Sequence, residues 1–185
     1  MAISGTLNLP GDKSISHRAL MLASLANGRS ELRNLSTADD VVSTISCLKS
    51  CGLKYDRTSN GVIINGGNFV DPDQPLDCGN SGTTMRLLLG LLSGQGINAT
   101  LIGDESLSKR PMKRIINPLK QMGLKIISND YKSPIKIQKS KLNGISYHSP
   151  IASAQIKSSL LFSGLGATGT TMITEPILSR NHSEI

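Results

Sequence analysis

The sequence predicts an α/β (α+β) chain built from repeated βαβαββ units, with helices packed on small mixed sheets. Three observations carry that prediction. Leu48-Lys-Ser-Cys-Gly-Leu-Lys54 and Leu119-Lys-Gln-Met-Gly-Leu-Lys125 share LKxxGLK at a separation of 71 residues. Leu107-Ser-Lys and Leu178-Ser-Arg share LS[K/R] at the same separation of 71. That period is too long for a solenoid repeat, so each copy is a small α/β unit. Within a copy, apolar spacing switches between helical and extended, with glycine at the breaks.

In the first copy Ala19, Leu20, Leu22, Ala23 and Ala26 give helical spacing over 16–27, and Gly28 stops it. Residues 30–35 follow as a strand. Residues 39–51 form a second amphipathic helix with Gly52 at its C-terminal cap, where a left-handed residue is needed. Residues 53–56 and 61–65 pair about the turn Ser59-Asn60. The second copy runs as helix 82–93, strand 97–102, helix 111–122 and strands 124–128 and 134–138. The third begins with a strand near 144–148, helix 153–165 and strand 170–174. It is expected to lack its second helix and closing strands, as in a truncated chain or an excised piece, which leaves a bare strand edge.

Composition narrows the function classes. At 185 residues, with 38% hydrophobic content and a mean hydropathy of −0.08, the chain is globular. A net charge of +7 makes anions the expected partners. Nucleic acid is disfavoured, since no Trp, two Phe and three Tyr offer little base stacking. Cys47, Cys51 and Cys78 form no CxxC pair, and His17, His148 and His182 are scattered. Neither disulfides nor a metal site is therefore expected. The N-terminus has no apolar signal core, and the run Leu87 to Leu92 is broken by Gly90. No signal peptide or membrane span is expected, and the location reads as cytoplasmic.

Each copy opens its first helix with small polar residues: Lys13-Ser14-Ile15-Ser16, then Gly79-Asn80-Ser81-Gly82-Thr83-Thr84, then Ser149 through Gln155. Helix starts present free N–H groups and the positive end of the dipole, and glycine admits close approach. Plain capping would explain any one of them. Lys13, Arg18, Arg86 and Lys157 shift the balance, because the dipole disfavours cations near helix starts. An anion from outside the chain is expected to compensate them. Rotation-related repeats would turn the three helix starts toward one centre. The loop 104–114 adds Lys109, Arg110, Lys113 and Arg114, a solvated basic face or an anion clamp, with Arg110 suited to bidentate contact. No P-loop fits, since Asp12 precedes Lys13, and GxSxG fails at Thr83. Ser106 and Lys109 match SxxK without its companion motifs.

Together LPGDKSISHRAL, GNSGTTMRLLLG, LSKRPMKRIINPL, SAQIKSSLL and LSRNHSE resemble the 5-enolpyruvylshikimate-3-phosphate synthase family, in order along the sequence. The resemblance implies a two-lobed enolpyruvyl transferase fold, each lobe made of three βαβαββ units. Residues 15–185 would form most of the N-terminal lobe, with the third unit incomplete, and residues 1–14 would pack with the absent second lobe. The implied reaction transfers the enolpyruvyl group of phosphoenolpyruvate to the 5-hydroxyl of shikimate 3-phosphate, through a tetrahedral intermediate, and releases phosphate. It belongs to the shikimate pathway toward chorismate and aromatic amino acids. It implies no metal or organic cofactor and a monomeric complete enzyme, with this half-site inactive alone.

Carried over residue by residue, the resemblance makes Lys13 catalytic and in contact with both substrates. Ser14 and Arg18 would hold the shikimate carboxylate. Asn80, Ser81, Gly82 and Thr83 would floor the phosphoenolpyruvate site, with Arg110 on its phosphate. Ser153, Ala154 and Gln155 would meet shikimate 3-phosphate, Gln155 also reaching phosphoenolpyruvate. Arg180 matches a phosphate-side Arg in members whose motif reads SAQ-x-K. Ala154 replaces a second Ser found in some members, which removes one phosphate contact, and Leu87 replaces a Pro of the other major subgroup. Gly82 implies glyphosate binding. The related transferase acting on UDP-N-acetylglucosamine fits less well, because Ser14 follows Lys13 and residues 103–114 hold no Cys. A noncatalytic anion-binding or nucleic-acid-binding module is the alternative from another class.

Overall fold

The computed structural model describes residues 4–6, 9–59 and 61–184. The first unit comprises α1 (Lys13–Leu25), β1 (Gly28–Arg33), α2 (Asp39–Ser50), β2 (Lys54–Thr58) and β3 (Gly61–Gly66). The second comprises β4 (Leu76–Asp77), α3 (Gly82–Gly94), β5 (Ala99–Ile102), α4 (Glu105–Ser108), α5 (Lys113–Gln121), β6 (Lys125–Asn129) and β7 (Lys132–Gln138). The third comprises β8 (Ser146–His148), α6 (Ala154–Gly164) and β9 (Met172–Thr174).

The repeat predicted from the sequence is visible in the sheets. Strands β1-β3-β2 form one antiparallel sheet, and β5-β7-β6 repeat that order with β4 added parallel at the edge of β5. Strands β8 and β9 pair in parallel as β4 and β5 do, and β9 has no partner on its far side among the described residues. Gly52 and Gly123, one period apart, close α2 and α5 with φ of +94° and +99°. The strand that would open the first unit falls partly on residues outside the described set, as do Asn60 of the expected turn and Ile185.

Several boundaries differ from the sequence expectation. Helix α1 starts at Lys13 rather than residue 16, because the Asp12 side chain accepts from Ile15 N–H at 2.8 Å and fixes the first turn. Strand β1 ends at Arg33, since Asn34 turns the chain with φ +51°. The loop 104–114 contains the helical turn α4, which Asp104 caps by accepting from Leu107 N–H at 2.7 Å. Strand β4 is an added short element with little apolar pattern of its own.

Helix α3 runs through the core. Its Met85, Leu87, Leu88, Leu89, Leu91 and Leu92 are all 0% exposed, which accounts for an apolar run with no polar face. Each such side chain contributes about 1.5–3 kcal/mol on burial. Helix α6 lies against α3 with almost nothing between the backbones. Ser159 Oγ donates to Arg86 O at 2.8 Å and Ser163 Oγ to Gly90 O at 3.1 Å. A Cβ on Gly90 would stand 2.0 Å from Ser159 O, so Gly90 marks close helix contact rather than a break in the helix. No described helix is long and apolar enough to cross a membrane.

Candidate active site

Each unit's first helix begins at a side-chain cap. Asp12, Ser81 and Ser153 accept from the N–H three residues on, at 2.8, 3.1 and 3.4 Å. Capping therefore explains Ser81 and Ser153 in part, and Ser81 is buried as well. The three helix starts nevertheless meet. Arg18 of α1 donates through Nη2 to Ala154 O at 3.3 Å, at the start of α6. Gln155 Nε2 donates to Thr83 Oγ1 at 2.9 Å, joining α6 to α3. Thr84 Oγ1 donates to Asp40 O at 3.1 Å, and the Asp40 carboxylate takes Lys13 Nζ at 2.9 Å, closing the ring through α2.

The expectation that all four helix-start cations await an outside anion is corrected. Lys13 pairs with Asp40, and Lys157 lies between Glu175, at 3.1 Å, and Glu184. These carboxylates come from distant sequence, which the local dipole argument could not see. Arg18 is only 2% exposed. Its donors go to Ser14 O, Ala154 O, Ser158 Oγ and Ser183 Oγ, which by donor count leaves one Nη1 hydrogen over. Burial depresses its pKa, against the pull of Glu184 and Asp12. Arg86 keeps the expected character most fully. Among the described residues it bonds only the neutral amide oxygen of Gln155, at 2.9 Å. Burial, then the charges of Arg110 and Arg114, hold its pKa below the ordinary value.

Arg86 faces an open cleft of about 630 Å³, lined also by Arg110, Lys113, Arg114, Ser153 and Gln155 and, among the described residues, by no carboxylate. Arg110 is aimed by its neighbours. Its Nη2 donates to Asn80 Oδ1 at 2.7 Å and Ser106 Oγ at 3.0 Å. Asn80 Nδ2 in turn donates to Asp104 Oδ2 at 2.7 Å, fixing the amide so that its oxygen faces Arg110. The Asp104 carboxyl is held below the usual range by Leu107 N–H and then by Asn80. Gly82 is buried under the Arg86 guanidinium, and a Cβ there would lie 2.7 Å from Nη1.

The structure thus brings Asn80, Gly82, Thr83, Arg110, Ser153 and Gln155 together around or beneath one cationic cleft. Lys13, Ser14 and Arg18 stand beside it at the start of α1, and Ala154 contributes its carbonyl to Arg18. Arg180 is exposed, and its charge acts on Asp12, whose carboxyl is kept low chiefly by Ile15 N–H.

Arg86, expected from the sequence to face an outside anion but given no substrate contact there, belongs to the cleft wall. One feature escaped the sequence reading. His17 is 0% exposed and shares a 2.7 Å hydrogen bond through Nδ1 with Thr44 Oγ1, which continues to Thr84 and Ser81. Its Nε2 is buried with no partner among the described residues, and burial pushes its pKa down to about 4, so the ring is neutral. Its spacing to Leu20 and Met21 on the buried face of α1 was the available signal.

The EPSP synthase (3-phosphoshikimate 1-carboxyvinyltransferase) family profile matches residues 1–185. The 3-phosphoshikimate 1-carboxyvinyltransferase of Bacillus pumilus is 47% identical over 98% of this chain and 44% of its own length. That of Synechocystis sp. is 50% identical over 100% of this chain and 43% of its own length. The EPSP synthase structure from Acinetobacter baumannii superposes with a TM-score of 0.92 at 41% identity, covering 97% of this chain and 42% of the other. The chain spans less than half the length of these relatives.

Proposed function

The chain belongs to the EPSP synthase family, and from that premise we propose that it carries part of a site for enolpyruvyl transfer from phosphoenolpyruvate to the 5-hydroxyl of shikimate 3-phosphate. The observation that carries this reading is the cleft of Arg86, Arg110, Lys113 and Arg114 between α3 and the starts of α5 and α6, with no carboxylate in its lining among the described residues. Both substrates are polyanions with phosphate and carboxylate groups, and such a cleft is stabilised when they enter it.

In this mechanism the 5-hydroxyl oxygen adds to C2 of the enolpyruvyl double bond while C3 takes a proton. The ketal then loses phosphate, and a proton leaves C3 to restore the double bond. Lys13 acts beside the reacting centre, moving protons. Arg110, aimed by Asn80, receives the phosphate of phosphoenolpyruvate above Ser81, Gly82 and Thr83, and Gln155 lies between the two substrates. Ser153 and Ala154, Arg180 and Lys13 bound the shikimate 3-phosphate side, where Ser14 and the spare Nη1 hydrogen of Arg18 take the carboxylate. Fixed donors placed where phosphate charge grows supply the catalysis.

The complete enzyme of this reading is a cytoplasmic monomer. Residues 15–185 belong to one lobe, and residues 1–14, which end in the first turn of α1, lead toward a second lobe that completes the site.

Calorimetric titration of the chain with shikimate 3-phosphate, with UDP-N-acetylglucosamine as comparator, tests the reading. Saturable binding of the first alone is expected, weakened about tenfold or more by Arg18→Ala in a variant shown to be folded. Equal affinity for both ligands, or binding of neither, would count against it.

A further inference from the structure

Residues 175–184 cross the starts of α1 and α6 as an irregular loop, and we infer that Lys157 and Glu175 are positioning residues that set this loop, and with it Arg180, for the phosphate of shikimate 3-phosphate. The inference rests on the functional reading above.

The anchors of the loop among the described residues are polar bonds. Ile177 and Leu178 are 74% and 92% exposed, so the loop gains no anchorage from burying its apolar side chains. Its hold is ionic. The Glu175 carboxylate, 5% exposed, accepts from Ser153 N–H at 2.7 Å, from Ser179 Oγ at 2.7 Å and N–H at 3.3 Å, and from Lys157 Nζ at 3.1 Å. Lys157, 11% exposed, also pairs with Glu184. Ser183 Oγ lies 3.0 Å from Arg18 Nε and 2.6 Å from Ser158 Oγ. The loop is therefore pinned at 175, 179 and 183–184, and Arg180 sits between the last two pins.

The charges inside the clasp balance. Lys157 and Arg18 face Glu175 and Glu184, so the set is neutral, with Glu184 at its exposed edge. Burial would raise the Glu175 carboxyl, yet bonds from Ser179, Ser153 and Lys157 outweigh it and hold it at about 2. A buried pair bonded this fully is strongly destabilised when one partner is removed, because the other charge stays buried without it. Arg180 lies outside the balance, exposed, and Asp12, a carboxylate on which its charge acts, is engaged in capping α1. Lys157 thus acts on the ligand through the loop and the Glu175 carboxylate that it holds.

The test compares shikimate 3-phosphate with shikimate, which lacks the phosphate, by titration of the full 185-residue chain and of Lys157→Met, Lys157→Arg, Arg180→Ala and Lys157→Met/Arg180→Ala. Lys157→Met is expected to weaken shikimate 3-phosphate about tenfold and shikimate by less than about twofold, the size of a lost charged contact. Lys157→Arg should restore most of the loss. The double variant should be no weaker than the weaker single, as for residues acting through one another. Amide exchange at Ser153 and Ser179 should accelerate in Lys157→Met while α3 stays protected. Equal losses for both ligands, losses that multiply in the double variant, or unchanged exchange in the loop would each overturn the inference. If the parent chain binds neither ligand, the functional reading falls, and the exchange rates alone decide whether Lys157 sets the loop.

Discussion

The Arg86 guanidinium donates to the amide oxygen of Gln155 at 2.9 Å, and this bond decides which way the amide faces. With Oε1 occupied, Nε2 is turned to Thr83 Oγ1 at 2.9 Å and keeps a second hydrogen for the cleft that Gln155 lines. The bond depends on a missing atom, since a Cβ at Gly82 would crowd Arg86 Nη1 at 2.7 Å.

Gly82→Ala should therefore displace Arg86 and loosen Gln155, without collapsing the fold. Binding of both phosphoenolpyruvate and glyphosate is expected to weaken about tenfold, the scale of one charged hydrogen bond. Competition titration of the two ligands in the presence of shikimate 3-phosphate checks this. Unchanged affinity for both would show that the Arg86 guanidinium accommodates the methyl group in place.

Arg110→Lys should weaken phosphoenolpyruvate by about tenfold despite keeping the charge. A lysine ammonium cannot match the planar fork that Asn80 and Ser106 hold in register. The measurement is the phosphoenolpyruvate Kd at two salt concentrations; a purely electrostatic role would leave the lysine variant equal to the parent at both.

His17 gives the chain an acid sensitivity with a defined window. Its folded pKa is near 4 against an ordinary 6.5, so the unfolded state binds the extra proton between those values. Stability from this group is full above about 6.5 and falls as the pH drops toward 4. The loss between pH 7 and 5 is about 2 kcal/mol. Denaturant unfolding at the two pH values should show that decrement in the parent and not in His17→Gln. Glu175 acts lower: its folded value of about 2 lies below the ordinary 4.5, so its contribution is lost only as the pH falls through that range.

Gly90→Ala should destabilise the chain by about 2–3 kcal/mol, because the methyl group would meet the Ser159 carbonyl at 2.0 Å and neither backbone can retreat. Thermal unfolding should show a fall of roughly 5–10 °C.

The repeat made most of this architecture legible in advance. LKxxGLK at one interval located both second helices and their glycine caps, and small polar residues located all three helix starts. Asp12 was harder to read, because an aspartate before a lysine and a serine serves equally as a cap or as site chemistry. The pairs Lys13–Asp40 and Lys157–Glu175 were illegible, since their partners lie 27 and 18 residues away in sequence. Charge read locally therefore overstated how many cations lacked partners. The cationic character of the cleft survived that error because Arg86 and Arg110 are oriented by amides, which fix direction without neutralising charge.

Where α3 and α6 meet, main chain rests on main chain: a Cβ on Gly90 would stand 2.0 Å from Ser159 O, and just past the end of α6 one on Gly166 would stand 1.7 Å from Gly94 O. Such a joint has no rotamers to exchange, so it cannot serve as a bearing. Thr83 and Gln155 stand at one end of this rigid block, and the spacing between them is set by the seam rather than by whatever ligand arrives. The two helices form an anvil: any movement of the site has to come from the elements around it.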